Sequence, residues 1–367
     1  VVAITIVCEY GTLNGGERSL LAVLDNLPPE TVAVSVLAPP HGRLAAELAA
    51  RGIEHHPLTL HAAGRRVPLD EACRRLEAAI RASRPDRVHA NSLSMGRLTG
   101  AMAARLDVPC SAHLRDIIGL SRAAVADLNQ NQRLIAVSQA TRGFHVAQGI
   151  APERIQVVPN GVDCERFQPR PASGWLRREL GLPAAALLIA TIGQIGLRKG
   201  QDVLAEAAVL NAPRLPQAHY IMVGERNSSK AESIAFDRQL GARFSDAGLG
   251  NRLHRLGYRA DVERLLNEVD VLVHPARQEP LGRVLLEAAA CGVPIVATRV
   301  GGTPEILDDA SALLVPPDDP AALADAIVRL ADDPSLRREL AANARRRAVS
   351  SFNIRDRAAE LAAVWTS

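Results

Sequence analysis

A chain of 367 residues that is 47% hydrophobic and 23% charged holds enough material for two or three globular domains. Its formal net charge of +3 is too small for a dedicated nucleic-acid binder, and no segment approaches the run of about 18 apolar residues that a membrane span needs. Aromatic residues make up only 3% of the chain, so its cores must be built mainly from Ala, Leu and Val.

Strand patterns occur at 2–7, 32–37, 53–58, 87–90, 110–113, 134–137 and 155–158. Helical patterns lie between most of them, as the crossovers of a parallel sheet require. Arg65, Arg66, Arg74, Arg75, Arg81, Arg84 and Arg87 crowd around a helix expected at 69–82. A solvated face explains such a run, and a membrane surface or anionic acceptor is the alternative. A turn at Val158-Pro-Asn-Gly-Val-Asp and a linker at Gln168-Pro-Arg-Pro-Ala-Ser-Gly close this half. A second α/β run opens at 187–193 and continues with strands at 220–223, 253–256, 271–274, 295–297 and 312–315. Asp319-Pro320 and Asp333-Pro334 each pair an N-cap with an N1 proline, and Thr303-Pro304 reads the same way. The expected division is 1–168, 169–350 and a final segment, 351–367, containing a helix over 352–365.

The stretch Glu279-Pro-Leu-Gly-Arg-Val-Leu-Leu-Glu287 carries the most chemistry. The strand before it ends at Pro275, and an Ala-rich helix after it stops at Gly292. Glu279 therefore belongs to a loop at a strand's C-terminal end, and Glu287 to the second turn of a helix. The free N–H groups of that helix start, around Leu281, Gly282, Val284 and Leu285, form an anion site flanked by two carboxylates suited to hydroxyls. Arg283 and Glu287 also stand at i,i+4 spacing, where a surface salt bridge is the plain alternative.

Gly196-Leu-Arg-Lys-Gly-Gln follows the first strand of the second half. Arg198 can fork onto phosphate oxygens there while Lys199 acts as a point charge. Asn14-Gly-Gly-Glu-Arg-Ser opens a helix after the first strand, and Gly15 and Gly16 allow close backbone approach. His113-Leu-Arg-Asp and Asn91-Ser92 sit at two further strand ends; Asn91, Ser92, Arg115 and Asp116 are candidate acceptor contacts. No Asp-x-Asp or His/Cys cluster has metal-ligand spacing, so no metal or cofactor is expected. Cys8, Cys73, Cys110, Cys164 and Cys291 are odd in number and scattered, which favours reduced thiols over disulfides. The apolar start, 1–7, is too short for a secretory core, and a cytoplasmic protein is expected.

Glu-Pro-Leu-Gly-Arg-Val-Leu-Leu-Glu-Ala followed by Cys-Gly-Val-Pro-Ile-Val-Ala-Thr resembles the signature of the retaining family-four glycosyltransferases. The resemblance implies the GT-B fold: two Rossmann-like domains facing across a cleft, with the last helix crossing back to the first. It also implies that Glu279 contacts the donor sugar and Glu287 the nucleotide ribose. His113 resembles the histidine near the reacting sugar, and Gly15-Gly16 the loop facing the donor phosphates. Lys199 fits the family's phosphate-binding lysine. Gln194 stands where the family usually carries Arg, and Arg198 is the candidate replacement.

The activity so implied is same-face, metal-independent transfer of a hexose from a nucleoside diphosphate sugar to a hydroxyl. UDP-sugars are favoured, with GDP-mannose second. The acceptor would be a glycan, a lipid-linked sugar or a small molecule. A sugar-nucleotide 2-epimerase and a silent nucleotide-sugar-binding subunit are the alternatives.

Overall fold

The computed structural model describes residues 1–62 and 64–367. They form two compact units, Val1–Gly161 with Ile354–Ser367, and Val162–Asn353. The changeover therefore lies at Gly161/Val162 and Asn353/Ile354, not at 168/169 and 350/351. Hydrogen bonds account for the shift. Val162 N–H donates to Phe352 O at 2.8 Å, which ties both ends of the second unit together. The expected linker is also fastened to that unit. Arg170 N–H bonds Asn267 Oδ1 at 2.6 Å, and Ser173 bonds Glu268 Oε1 through its N–H and Oγ at 2.7 and 2.8 Å.

The first unit contains β1 (Val2–Val7), β2 (Val32–Ala38), β3 (Glu54–Pro57), a small hairpin of β4 (His61–Ala62) and β5 (Arg65–Arg66), then β6 (Arg87–Ala90), β7 (Cys110–Leu114), β8 (Arg133–Ala136) and β9 (Ile155–Val157). Its main sheet is parallel, in the order β3-β2-β1-β6-β7-β8-β9. Alternation along β1 sends Ile4 and Ile6 to one core and Val7 to the other, as the two-residue period of a strand dictates. The final helix, Ile354–Thr366, covers the first of these faces with Ile354, Ala358, Leu361, Val364 and Trp365. Arg74 and Arg75 on the helix Leu69–Ser83 both pair with Glu71, and Arg81 pairs with Glu77, so part of the Arg-rich run is occupied by its own helix.

The second unit contains β10 (Leu187–Ile192), β11 (Ala218–Val223), β12 (Leu253–Gly257), β13 (Val271–His274), β14 (Ile295–Thr298) and β15 (Leu313–Val315), in the parallel order β12-β11-β10-β13-β14-β15. Asp319 and Asp333 cap the helices Pro320–Asp332 and Pro334–Ser351, accepting from Ala322 N–H and from Ser335 and Leu336 N–H. Thr303 does not cap its helix. Thr303–Ile306 begins at Thr303 itself after Gly302, and the buried Thr303 hydroxyl makes no hydrogen bond among the described residues.

Strand order reverses between β1 and β6 in the first unit and between β10 and β13 in the second. Ligands of open α/β sheets bind at such switch points, beyond the strands' carboxyl ends. The loops there are the ones that carry the sequence motifs.

Candidate functional site

In the second unit, the loop after β10 is folded tightly onto the loop after β13. Gly200 has φ 66°, and a Cβ there would lie 1.8 Å from Pro275 O, so only glycine permits this approach. Arg277 N–H donates to Arg198 O at 2.9 Å. The Arg277 guanidinium bonds Leu197 O at 2.8 Å and both Asp202 oxygens at 2.8 and 2.7 Å. Gln201 is buried and pins the same loop from below, donating to Gln194 O at 3.0 Å and accepting from Gly196 N–H at 3.3 Å. Gln194 itself is exposed.

These loops bring Lys199 and Glu279 together. Lys199 Nζ donates to Glu279 Oε2 at 2.5 Å, and His274 Nε2 donates to the same oxygen at 2.8 Å. Oε1 accepts no hydrogen bond among the described residues. Burial alone would push the Glu279 carboxyl up, but the Lys199 charge and the His274 bond outweigh it and hold the group well below the usual carboxylate range. Burial lowers His274 against the raising pull of Glu279, and its Nε2 carries a proton because the carboxylate it meets can only accept. Arg198 is half-buried, and its guanidinium has no hydrogen-bond or ion-pair partner among the described residues.

The helix Arg283–Cys291 starts beside this cluster. Gly282 (φ 104°) breaks the chain into it, and Leu285 and Leu286 N–H both turn back to Gly282 O, at 3.0 and 3.3 Å. The N–H groups of Arg283 and Val284 have no intrahelical acceptor. Leu281 and Leu285 bury their side chains in the core, so only their backbone can meet a ligand. Gly302 N–H bonds Glu279 O at 2.9 Å and brings the Gly301-Gly302 loop against the same segment. Glu287 is buried, and Arg283 Nη2 bonds its Oε1 at 2.6 Å. The i,i+4 salt bridge is therefore formed, and Oε2 accepts nothing among the described residues.

In the first unit, Gly16, Asn91, Arg115 and Asn160 converge beyond the sheet. A Cβ on Gly16 would lie 3.3 Å from Arg115 Cδ and 3.9 Å from Asn91 Nδ2. Arg115 bonds Asn91 O, Asn91 Oδ1 and Asn160 Oδ1 at 3.1, 3.0 and 3.0 Å, and reaches His113 Nδ1 at 3.3 Å. Gly15 opens the helix Gly15–Leu24, where Glu17 accepts from Asn14 N–H at 3.1 Å. Ser92 is a helix cap: its hydroxyl accepts from Met95 N–H at 3.2 Å. Asp116 offers its backbone oxygen to His145 Nε2 at 2.9 Å. His113 is buried against His89, with Nδ1 2.7 Å from His89 Nε2, and burial holds both well below the usual histidine range, His89 at about 3.

His89, Asn160, Gln201, His274 and Arg277 were not singled out from the sequence. His274 and His89 carried a signal, a histidine at or near the carboxyl end of a buried strand. Gln201 and Arg277 carried none: Gln201 bonds backbone atoms of a loop whose shape is tertiary, and Arg277 reaches carboxylates 75 and 41 residues away as well as Leu197 O. Among the described residues no group of three or more His, Cys, Asp or Glu side chains is placed to hold a metal ion, no helix is long and apolar enough to cross a membrane, and all five cysteines are free.

Comparison with known proteins places the chain in a family. Residues 13–166 match the model described as Glycosyltransferase Family 4, and 176–347 the model described as Glycosyl transferases group 1. The D-inositol 3-phosphate glycosyltransferase of Xylanimonas cellulosilytica is 32% identical over 285 residues, 71% of this chain and 67% of that protein. The lipopolysaccharide core biosynthesis mannosyltransferase LpsB of Rhizobium meliloti is 31% identical over 214 residues, covering 58% of this chain and 60% of LpsB. The matches to LpsB and to the Saccharomonospora viridis D-inositol 3-phosphate glycosyltransferase thus span 60% and 47% of those relatives' lengths. Among solved structures, Anabaena Alr3699/HepE in complex with UDP and glucose superposes with a TM-score of 0.89 at 24% identity over 100% of both chains. WaaG, a glycosyltransferase involved in lipopolysaccharide biosynthesis, gives 0.76 at 19% identity over 99% of this chain and 100% of its own. The chain belongs to glycosyltransferase family 4, the glycosyl transferases group 1, and has the GT-B fold.

Proposed function

We propose that this protein is a retaining hexosyltransferase that takes its sugar from a nucleoside diphosphate sugar, UDP-linked by preference and GDP-mannose second, and passes it to an acceptor hydroxyl. The observation that carries this reading is the asymmetric use of Glu279. Lys199 and His274 both bond Oε2, leaving Oε1 of a fixed anionic carboxylate to accept from sugar hydroxyls. Beside it, the unpartnered Arg198 suits a diphosphate, and the open N–H groups of Arg283 and Val284 add donors of the same polarity. Glu287 Oε2 suits a ribose hydroxyl. HepE in complex with UDP-glucose, 25% identical with a TM-score of 0.86, supports a uridine nucleotide.

In the reaction, the bond from the anomeric carbon to the diphosphate oxygen breaks as the acceptor oxygen bonds that carbon on the same face. The acceptor's proton passes to the departing phosphate oxygen. Arg198, Lys199 and the helix N–H groups stabilise the charge that develops on the diphosphate, commonly the largest catalytic contribution. Glu279 and His113 orient the sugar. Because cations of the chain serve the diphosphate, no divalent metal is required, and no cofactor. Gly15, Gly16, Asn91, Arg115 and Asp116 are assigned to the phosphate and acceptor side, with Ser92 acting as a cap.

The test is incubation of UDP- and GDP-sugars with a panel of glycan, lipid-linked and small-molecule acceptors after EDTA treatment, followed by NMR of the first-formed product. An α donor should give an α linkage. A β linkage overturns retention, and activity rescued only by Mg²⁺ or Mn²⁺ overturns metal independence. A nucleotide-sugar altered without acceptor identifies an epimerase, and binding without turnover identifies a silent subunit.

A further inference from the structure

His113 lies in a hydrogen-bond chain whose polarity follows from one group that can only donate. Arg115 Nη2 is 3.3 Å from His113 Nδ1, and a guanidinium has no acceptor, so Nδ1 must accept. His89 Nε2 lies 2.7 Å from the same Nδ1 and therefore donates to it. His89 Nδ1 is then unprotonated and accepts from Ser111 Oγ at 2.8 Å. Both rings are buried and neutral, so each carries a single proton. For His113 that proton has one place left, Nε2. Trp365 packs its ring against His89 with centroids 5.2 Å apart.

We propose that His89 is a positioning residue: together with Ser111 it fixes His113 as the tautomer that presents Nε2–H as a donor, toward an oxygen acceptor such as a sugar hydroxyl. This rests on the reading of His113 as a sugar-contacting residue. An imidazole in water interconverts its tautomers, and the wrong one would meet a hydroxyl with a lone pair in place of a proton. His89 shares that task with Arg115, but at 2.7 against 3.3 Å it makes the shorter bond. Neither His89 nor Ser111 touches the sugar in this scheme; both act through His113.

Long-range ¹⁵N–¹H correlation spectra of the full chain with ¹⁵N-labelled histidine test this, with His113 assigned by its loss in His113→Gln. The wild type should show His113 with Nδ1 unprotonated and Nε2 protonated; the reverse pattern overturns the proposal without any variant. In His89→Leu the Nδ1-protonated tautomer of His113 should appear. In His89→Gln, whose amide N–H replaces the lost donor, the wild-type pattern should return. An unchanged His113 spectrum in a folded His89→Leu protein overturns the assignment to His89 and leaves Arg115 as the determinant. In turnover with donor and acceptor, kcat should fall at least tenfold in His89→Leu with KM for the donor changed less, and His89→Gln should recover most of it. If the spectra follow the expectation and neither variant changes turnover, the tautomer assignment stands and the catalytic reading of His113 falls.

Discussion

At the strand ends of the second unit the ionisable groups stand in pairs of opposite sign: Lys199 with Glu279, Arg277 with Asp202, Arg283 with Glu287. At the matching strand ends of the first unit, His89 and His113 are kept neutral by burial, and Arg115 is held by amide and carbonyl oxygens. One sheet architecture thus supports two electrostatic designs. The second suits a ligand that brings negative charge and hydroxyls. The first suits a reacting centre that needs directed hydrogen bonds without a mobile proton. The difference shows that strand topology chooses where a site forms, and that partners within a few ångströms choose its charge state.

The strongest way to break this comparison is to remove one partner of a buried pair. Lys199→Ala leaves Glu279 charged and buried with only His274, and should cost about 3–5 kcal/mol of unfolding free energy. Urea unfolding measures it, and a loss below about 1 kcal/mol would show that the pairing contributes little. Acid then separates the two designs. The folded pKa of His89, about 3, lies below its unfolded value of 6.5, so its contribution is full above pH 6.5 and drains away as pH falls toward 3. Each such histidine should remove about 1.4 kcal/mol per pH unit in that window. Glu279, also depressed, acts only below its unfolded value of 4.5. Unfolding at pH 7.5 and 5 should therefore show a shallower slope in His89→Gln than in wild type, and identical slopes would refute the neutral design.

Two affinity measurements sharpen the contrast within the second unit. Arg198→Ala and Glu287→Ala should each weaken UDP binding by about 1.5–3 kcal/mol, read by calorimetry. Arg198 has no partner to abandon, so its removal should change stability by no more than about 0.5 kcal/mol. Wild-type UDP affinity in both variants would remove them from the donor site. The smallest effect on nucleotide affinity is expected from Arg283→Ala, which removes a partner of Glu287 and leaves the backbone donor in place. A larger loss of nucleotide affinity would mean that Arg283 orients Glu287 for the ribose.

Much of this was legible before the structure. β1, β6 and β13 have the bounds read from their apolar runs, the other strands of the two main sheets differ by one or two residues at an end, and β4 and β5 were not read. Asp319 and Asp333 cap as their spacing implied. The misreadings share a cause. Thr303 looked like a cap, yet the turn ahead of it ends at Gly302, whose N–H is held by Glu279 O across the unit. The Pro-rich stretch 168–174 looked like a linker, yet Asn267 and Glu268 hold its backbone.

Sequence by itself determined the alternation of buried strands and amphipathic helices, the glycine turns, and the placement of Arg198, Lys199 and Glu279 on loops after strands and of Glu287 on the helix that follows. Those features depend on local periodicity and on residues near in the chain. Tertiary structure alone decided which oxygen of Glu279 is occupied by Lys199, that Arg198 stays unpaired, and that His113 faces His89. Each of these depends on groups distant in sequence meeting at hydrogen-bond range, where an error of one ångström separates a bond from none.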